Sequence, residues 1–467
     1  MYGAPTMELQ NKSTSLWSNF FKLQMPQIRA FHMSWFAFFL CFFAWFGIAP
    51  LMAVVREELS LTKEQVGWSI IASVTVTVLA RLAIGWLCDR FGPRLTYTGL
   101  LMVGSLPVMG IGFAHDFQTF LIFRLLIGII GASFVITQYH TSIMFAPNVI
   151  GTANATSAGW GNLGGGVTQF VMPLVFALFV TTMGFSAAVG WRASMVVAGL
   201  ICFLTGIAYY RFTQDAPDGN FKELRAAGKL PSTKKTNGEF WAACHDYRVW
   251  ALFVAYGACF GIELTINNIA ALYFIDYFGL GLAAAGVMAA SFGLMNVFAR
   301  PLGGIFGDYF GSKWGLRGRV TWLFIALFCE GIALMFFSQM TALTVALPSL
   351  IVFSLFVQMS EGATYSVVPF VNKKALGAVA GIVGAGGNAG AVAAGFLFKD
   401  SLEWPTAMLI LGGLVTTCSF LAFAVRFNPE AETEAKEDFA AAVKQKQRPQ
   451  PQIVEPTPDL EPVLNVS

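Results

Sequence analysis

Two widely separated segments of this chain share one pattern of charged residues and glycines, set within largely apolar sequence. The pattern is Arg-x3-Gly-x3-Asp-x2-Gly. It occupies positions 81–92 and recurs, 219 positions later, at 300–311. The chain is 56% hydrophobic and only 12% charged, about half the charge of a typical soluble domain. A repeat of this length in so apolar a chain predicts a membrane protein built from two homologous halves.

The arginines that begin the two segments lie deep inside apolar sequence. If Asp89 and Asp308 mark the membrane boundary, Arg81 and Arg300 each lie eight residues deeper, about 12 Å at the rise of an α-helix. That depth is close to the middle of a hydrocarbon core of about 30 Å. Because buried charges are costly there, a matched pair is predicted to form the functional centre. The alternative is that each arginine pairs with a nearby carboxylate for structural reasons.

Apolar segments along the chain predict an all-α membrane protein with twelve transmembrane helices in two pseudo-symmetric six-helix halves. The predicted parts are an N-terminal cytoplasmic segment, a six-helix bundle, a cytoplasmic linker, a second six-helix bundle and a disordered cytoplasmic tail. They span 1–30, 31–211, 212–246, 247–426 and 427–467. The apolar segments fall at roughly 31–55, 65–88, 96–113, 118–141, 151–181, 191–211, 248–275, 284–307, 320–338, 343–370, 377–398 and 404–426.

Basic residues predict how the chain is oriented in the membrane. With both termini inside, 22 of the 29 Lys and Arg residues lie on the cytoplasmic side, four lie outside and three lie within spans. Short loops rich in Lys and Arg stay in the cytoplasm. We therefore expect a multi-pass protein of the cell membrane, the inner membrane of a bacterium, with both termini cytoplasmic.

Several functional classes receive no support from the sequence. The seven cysteines and four histidines lack metal-binding spacing, and a net charge of +3 is too small to indicate nucleic-acid binding. Neither a His/Asp/Glu cluster nor a nucleotide-binding loop supports a membrane enzyme or sensor. We expect no catalytic residues, no metal, no cofactor and no nucleic-acid partner, and a monomer that contacts the lipid bilayer.

Glycine-rich segments occur in the fifth and eleventh predicted spans, at 158–166 and 381–390, and both contain Gly-Asn-x-Gly. Asn162 and Asn388 each lie 11 residues into their spans, about 16 Å deep, so both are predicted to reach the depth of the arginines. Helices with small residues approach closely, as gating by sliding requires. The glycines expected to act in gating are Gly161, Gly164, Gly165, Gly386 and Gly387.

Charged residues at the ends of the second and eighth spans are predicted to act in gating rather than in substrate binding. These residues are Asp89, Arg90, Arg94 and Asp308. A carboxylate at a helix end can hold a neighbouring helix in one conformational state only, and releasing it permits a switch.

The segment Gly85-x3-Asp89-Arg90-x-Gly92-x-Arg94 resembles the signature of the major facilitator superfamily, and Arg124, which opens Arg-x3-Gly in the fourth span, supports it. Within that superfamily, the two glycine-rich segments resemble the paired signatures of the nitrate/nitrite porter family. Segments 259–268 and 361–370 are similar to its plant, algal and assimilatory bacterial branch. The resemblance covers roughly 30–426.

This resemblance implies that nitrate is held between one arginine from each half and flanked by aromatic rings. The arginines matched by motif are Arg81 and Arg300, and the aromatic residues are Phe134, Tyr256 and Tyr365. A guanidinium is planar and permanently charged, which suits a planar anion. The second half departs from the pattern, since Tyr309 and Ser312 stand where the family often has basic residues.

Three glutamates lie in predicted spans. Glu330 lies in the ninth span, which is peripheral in this superfamily, so we assign it a structural role. Glu263 and Glu361 lie in spans expected to line the cavity. Because nitrate does not carry a proton at biological pH, a coupled proton has to bind to the protein, and these two are the candidates. The alternative for both is a permanent ion pair with Arg81 or Arg300.

The sequence thus predicts secondary active transport of nitrate, with nitrite as a further substrate, driven by protons and serving nitrate assimilation. The alternatives are nitrate/nitrite exchange and transport of another small organic anion. A sugar carrier ranks lower, because its cavity needs many carboxylates and amides.

Overall fold

The computed structural model describes residues 11–145, 149–229, 238–372, 376–399, 402–433 and 435–437. Within them, regular structure is almost entirely helical. The helices of the first half are α1 Pro26–Glu58, α2 Lys63–Phe91, α3 Pro93–Phe113, α4 Phe117–Met144, α5 Ile150–Ala177 and α6 Ala187–Phe212. Those of the second half are α7 Tyr247–Phe278, α8 282–314, α9 316–338, α10 Leu343–Val367, α11 Leu376–Lys399 and α12 Trp404–Ala424.

Eleven helical segments of the described chain are long and apolar enough to cross a membrane. One of them, Leu282–Ser338, has 57 residues, which at helical rise is about 85 Å and so enough for two crossings. It is divided at Gly315, where φ is +69° and ψ is −152°. Division there into α8 and α9 agrees with the twelve crossings expected from the sequence, in two halves of six.

Polar residues outside the apolar runs set where several helices begin. The Thr62 hydroxyl accepts a hydrogen bond from the Gln65 N–H at 3.2 Å and starts α2. Asp116 accepts one from the Thr119 N–H at 2.8 Å and starts α4. That hydrogen bond lowers the pKa of Asp116. Capping of this kind satisfies N–H groups that have no partner within the helix.

The halves meet mainly along two helix pairs, α2 with α11 and α5 with α8. We call the end of the bundle where α1 begins the terminal face and the opposite end the far face. At the far face Arg56 and Asp276 form a two-bond ion pair between the halves, with both distances 2.8 Å. Close by, the Trp68 and Phe396 rings pack with centroids 5.8 Å apart. These contacts close the far face.

Toward the terminal face, α2 and α11 separate. They touch where Gly67 lies against the Lys399 backbone, and again where Arg81 donates a hydrogen bond to the Gly384 carbonyl oxygen. About one turn closer to the terminal face lie Gly85 of α2 and Gly381 of α11. A Cβ atom added at either glycine would face open space. The interface between the two halves is therefore tightest on the far side of Arg81.

The segments after α6 and α12 fold back onto the terminal face in a related way. Asp215 accepts hydrogen bonds from the N–H groups of Arg94 and Phe221, each at 2.9 Å, and burial raises its pKa. Glu432 accepts hydrogen bonds from the N–H groups of Leu316 and Arg317, at 2.9 and 3.1 Å. Each carboxylate caps the helix that follows the repeated motif of its own half.

The regions outside the two bundles contain more structure than expected. The predicted linker holds two short helices, Phe221–Ala226 and Gly238–His245. The tail predicted to be disordered is helical over 429–433, where Glu432 binds the start of α9. Residues 1–10 and 438–467 lie outside the described part of the chain.

Candidate functional site

The two repeated arginines lie against the same two aromatic rings in the middle of the bundle. Arg81 of α2 and Arg300 of α8 are only 3% and 4% exposed. The Arg81 guanidinium carbon lies 5.4 Å from the centre of the Phe134 ring and 5.3 Å from that of Phe260. For Arg300 the distances are 5.8 and 5.9 Å. The halves thus bring two cations to one aromatic pair, within reach of cation–π attraction.

Neutral groups surround Arg81. Its Nη1 donates a hydrogen bond to the Gly384 carbonyl oxygen at 2.6 Å. With its amide oxygen turned toward the arginine, Asn388 accepts from Nε and Nη1 at 3.2 and 2.9 Å. The Nη2 atom of Arg81 is buried without a hydrogen-bond partner among the described residues. An unpaired buried donor costs about 1–3 kcal/mol, and more when it is charged, so this atom is a ready binding point for an anion.

Arg300 has a charged partner. It forms an ion pair with Glu361 of α10, whose side chain is fully buried, and its Nη2 donates to the Tyr256 hydroxyl at 3.0 Å. The structural alternative raised from the sequence, a carboxylate beside a buried arginine, thus holds for Arg300. No described carboxylate forms an ion pair with Arg81.

Aromatic side chains from three helices complete the walls of the site. The Tyr256 and Phe260 rings are stacked with centroids 5.1 Å apart. Tyr365 packs on Tyr256 at 5.0 Å and on Phe134 at 6.1 Å, both edge to face. Its hydroxyl donates to the Ala380 carbonyl oxygen at 3.4 Å. The three aromatic residues expected from the family resemblance are therefore all located at the arginines.

Glu263 lies in a separate polar cluster that joins the two halves. It accepts hydrogen bonds from Asn162 of α5 at 3.1 Å, from Asn296 at 2.6 Å and from Gln358 at 3.5 Å. Glu361 is near enough for the two carboxylates to interact. Since Asn162 binds Glu263, the two asparagines at equivalent positions of the repeat have different partners. Asn388 supports an arginine, whereas Asn162 supports an acid.

The five glycines expected to act in gating mostly pack inside their own half. Space for a side chain is filled by the Phe38 ring at Gly161 and by the Phe39 backbone at Gly164. At Gly386 and Gly387 it is filled by the Phe253 backbone and the Phe260 ring.

Contacts between the halves involve other glycines. Of the five expected ones only Gly165 faces the other half, where a Cβ would lie 3.2 Å from Asn267 Nδ2. Gly166 of α5 and Gly293 of α8, which were not among the five, lie against each other's backbone.

The charged motif residues also bind within their own half. Arg94 donates to the Tyr210 carbonyl oxygen at 2.7 and 2.9 Å, and Asp308 pairs with Arg319 at 2.6 Å. The Arg90 guanidinium lies over the Phe91 ring, 5.4 Å from its centre. The Asp89 side chain lies outside the described part of the structure. In this conformation the described contacts of Arg94 and Asp308 do not link the two halves.

Three residues of the site were missed by the sequence analysis. Phe260 lies one helical turn after Tyr256, and Asn296 lies four positions before Arg300, so helical spacing was an available signal for both. Gln358 lies three positions before Glu361, so the same spacing signal was available for it. Glu330 of α9 is fully buried.

A bundle of two related halves that encloses a polar site at mid-depth defines a membrane transporter. Comparison with protein families agrees, because residues 34–371 match the Major Facilitator Superfamily. Among solved structures, an inward-facing, occupied bacterial homologue of the human lysosomal transporter Spinster shares this fold. Its TM-score is 0.67 at 15% identity, over 86% of this chain and 99% of that one.

Relatives define the family more narrowly. The chain is 39% identical to high affinity nitrate transporter 2.5 of Arabidopsis thaliana, over 93% of this chain and 88% of that protein. It is 31% identical to the nitrate/nitrite transporter NrtP of Nostoc punctiforme, over 88% of this chain and 95% of that protein. The chain belongs to the major facilitator superfamily and, within it, to the family of the nitrate and nitrite transporters.

Proposed function

We propose that this protein transports nitrate, and nitrite as a further substrate, by alternating access, without chemical change to either ion. The observation that carries the proposal is the pair of buried arginines, Arg81 and Arg300, on the shared rings of Phe134 and Phe260. A flat anion between the guanidinium groups accepts in-plane hydrogen bonds from both. The unpartnered Nη2 of Arg81 supplies one of these donors.

The aromatic rings favour a small planar anion over a larger organic one. Phe134 and Phe260 lie with ring centroids 6.4 Å apart, and both guanidinium groups lie over them. A bulky carboxylate would have to displace one of these rings. Nitrate and nitrite offer two or three oxygens in one plane and need no additional pocket. The relatives named as nitrate transporters support the same substrate class.

Charge balance supports coupling to protons. With Glu263 and Glu361 ionised, the two glutamates offset Arg81 and Arg300, and the empty site is neutral. Bound nitrate adds one negative charge in a medium that tolerates little net charge. A proton on either glutamate restores neutrality. An inside-negative potential opposes entry of an anion by about 2.3 kcal/mol per 100 mV. A second proton carried with each nitrate makes the transported charge positive, so the potential then favours uptake. Nitrate/nitrite exchange is the alternative, and it needs no titratable group.

We further propose that the protein lies in the cell membrane, as a monomer in the bacterial inner membrane, with the terminal face in the cytoplasm. The excess of Lys and Arg on that face supports this orientation. The structure, closed at the far face, is then an inward-facing state. Uptake begins when the Arg56–Asp276 contact and its neighbours separate.

The test is transport into proteoliposomes that contain the purified protein. We expect labelled nitrate to accumulate when the lumen is more alkaline than the medium, with proton entry measured by an internal pH dye. Nitrite should compete for uptake and acetate should not. Uptake that requires internal nitrite and moves no protons would establish exchange instead, and absence of any nitrate uptake or binding would contradict the proposed substrate.

A further inference from the structure

A third buried arginine lies between the two halves, far from the pair described above. Arg124 of α4 is fully buried. Its Nη2 donates a hydrogen bond to Oδ1 of Asn268 at 2.8 Å, and Asn268 belongs to α7 of the other half. Its Nη1 reaches the Trp45 carbonyl oxygen at 3.5 Å, a weak contact. The Nε atom has no partner among the described residues.

No described carboxylate forms an ion pair with Arg124. A neutral side chain could make the same contact with Asn268 without the cost of burying a charge in hydrocarbon, which is several kcal/mol. A cation kept at this position without a counter-ion indicates that its charge is used in another conformation.

Position along the helices shows where that charge acts. Arg124 precedes Phe134 of the central site by ten residues of α4, about 15 Å along the helix, on the far-face side. Its contact with Asn268 crosses the interface between the halves at their closed end. Alternating access requires that interface to separate. Asn268 then moves away with the second half, and the guanidinium is left facing the cleft with its donors free.

We propose that Arg124 forms a second anion site, which captures nitrate or nitrite at the open far face before the ion reaches Arg81 and Arg300. When the far face closes, Asn268 replaces the anion on the guanidinium. Arg124 therefore serves both as the capture site and as a contact that closes the far face. The proposal rests on the proposed transport of a small planar oxyanion. At this site the forked N–H groups of the guanidinium would bind a monovalent oxyanion.

The first test uses the rate of entry. Initial nitrate uptake from the far face should be measured for the wild type, Arg124→Gln, Arg124→Lys and Asn268→Ala at equal protein in the membrane. We expect Arg124→Gln to lower kcat/KM about tenfold and to abolish its dependence on ionic strength, varied with sodium gluconate, since capture by a charge is screened by salt. Arg124→Lys should keep most of both properties, and Asn268→Ala should keep kcat/KM within about twofold because the cation remains.

A purely structural Arg124 gives a different pattern. Arg124→Lys and Asn268→Ala would then lower kcat/KM as much as Arg124→Gln, with the salt dependence unchanged. That result, or a wild-type kcat/KM in Arg124→Gln, overturns the proposal. Nitrate binding to purified protein closed at the far face should be the same in the wild type and Arg124→Gln, because there Arg124 is occupied by Asn268.

A second test does not depend on transport. Phenylglyoxal modifies accessible arginines, and peptide mass spectrometry reports the extent at Arg124. In the Arg81→Lys background, which disables the central site, nitrate should still protect Arg124 from modification and gluconate should not. Failure of nitrate to protect overturns the second site. Failure of the wild type to take up nitrate while Arg124 remains protected would overturn the proposed transport function alone.

Discussion

Arg81 and Arg300 occupy the same position in the two halves of one repeat, yet their surroundings differ in charge. Arg81 is held by the Gly384 carbonyl oxygen and the Asn388 amide, both neutral. Arg300 is held by Glu361 and the Tyr256 hydroxyl. The repeat therefore has the same cation in both halves, while the groups that hold it differ.

The difference shows how functions are divided between the halves. The buried glutamates of the described spans, Glu263, Glu330 and Glu361, all belong to the second half. The first half contributes Arg81, a fixed charge that does not titrate under any biological condition. The proposed binding site thus takes one arginine from each half, whereas both glutamates proposed to couple protons belong to the second.

The largest effect is expected from replacing the guanidinium groups. Arg81→Lys and Arg300→Lys keep the charge but lose the planar fork, so each should lower nitrate uptake about 100-fold or more, the loss expected for two charge-assisted hydrogen bonds. Uptake should be compared at equal protein in the membrane, with Arg211→Lys, an exposed arginine at the terminal face, as a control. Nitrate affinity should fall more in Arg81→Lys than in Arg300→Lys, because only Arg300 has a carboxylate to hold a replacement cation. Equal losses would remove the distinction between the halves.

Enlarging one glycine in each half separates binding from movement. Gly387→Leu would displace the Phe260 ring, whereas Gly164→Leu would press on the α1 backbone away from the arginines. Overpacking of about 2 kcal/mol should slow turnover about 30-fold in both, but only Gly387→Leu should weaken nitrate binding. Gly413→Leu, where a Cβ faces open space, is the matched control. Normal turnover in Gly164→Leu would show that the α1–α5 contact does not change during transport.

Neutralising the acids tests whether the second half responds to protons. Glu361→Gln leaves the site one charge more positive, so nitrate should bind about tenfold more tightly while accumulation driven by a pH gradient is lost. Glu263→Gln should also lose coupling but change affinity less, since Glu263 contacts amides rather than an arginine. Binding by calorimetry and uptake at several pH values measure the two properties. If both variants keep pH-driven uptake, the glutamates are structural counter-ions.

The smallest effects should come from the two asparagines at equivalent positions. Asn388→Ala removes an acceptor from Arg81 and should weaken nitrate binding about five- to tenfold, the value of roughly one ordinary net hydrogen bond. Asn162→Ala should change affinity by less than about threefold and instead shift the pH dependence of uptake, because its partner is Glu263. Titration of nitrate binding at two pH values distinguishes these outcomes. The reverse pattern would mean that the contacts of the two asparagines exchange in another conformation.

The sequence was sufficient to predict the helical segments, the two halves and the burial of both arginines, and the structure shows the helices and the burial. Apolar length is a property of a continuous stretch of chain, so it can be recognised without knowing what the stretch contacts. The 219-residue spacing of the motif likewise related Arg81 to Arg300 before any contact was known. Family resemblance added Phe134, Tyr256 and Tyr365, which the structure places together at the arginines.

Only the tertiary structure decided which side chains meet. The pairing of Glu361 with Arg300 rather than Arg81, the position of Phe260 beneath both guanidinium groups and the contact of Asn162 with Glu263 depend on helix rotation and tilt. So does the bond from Arg124 to Asn268, which spans 144 residues of sequence. Local sequence sets how long a transmembrane helix is and which of its faces is polar. The partner of a polar side chain is set by packing between helices distant in the chain, because inside the bilayer such side chains hydrogen-bond across to neighbouring helices.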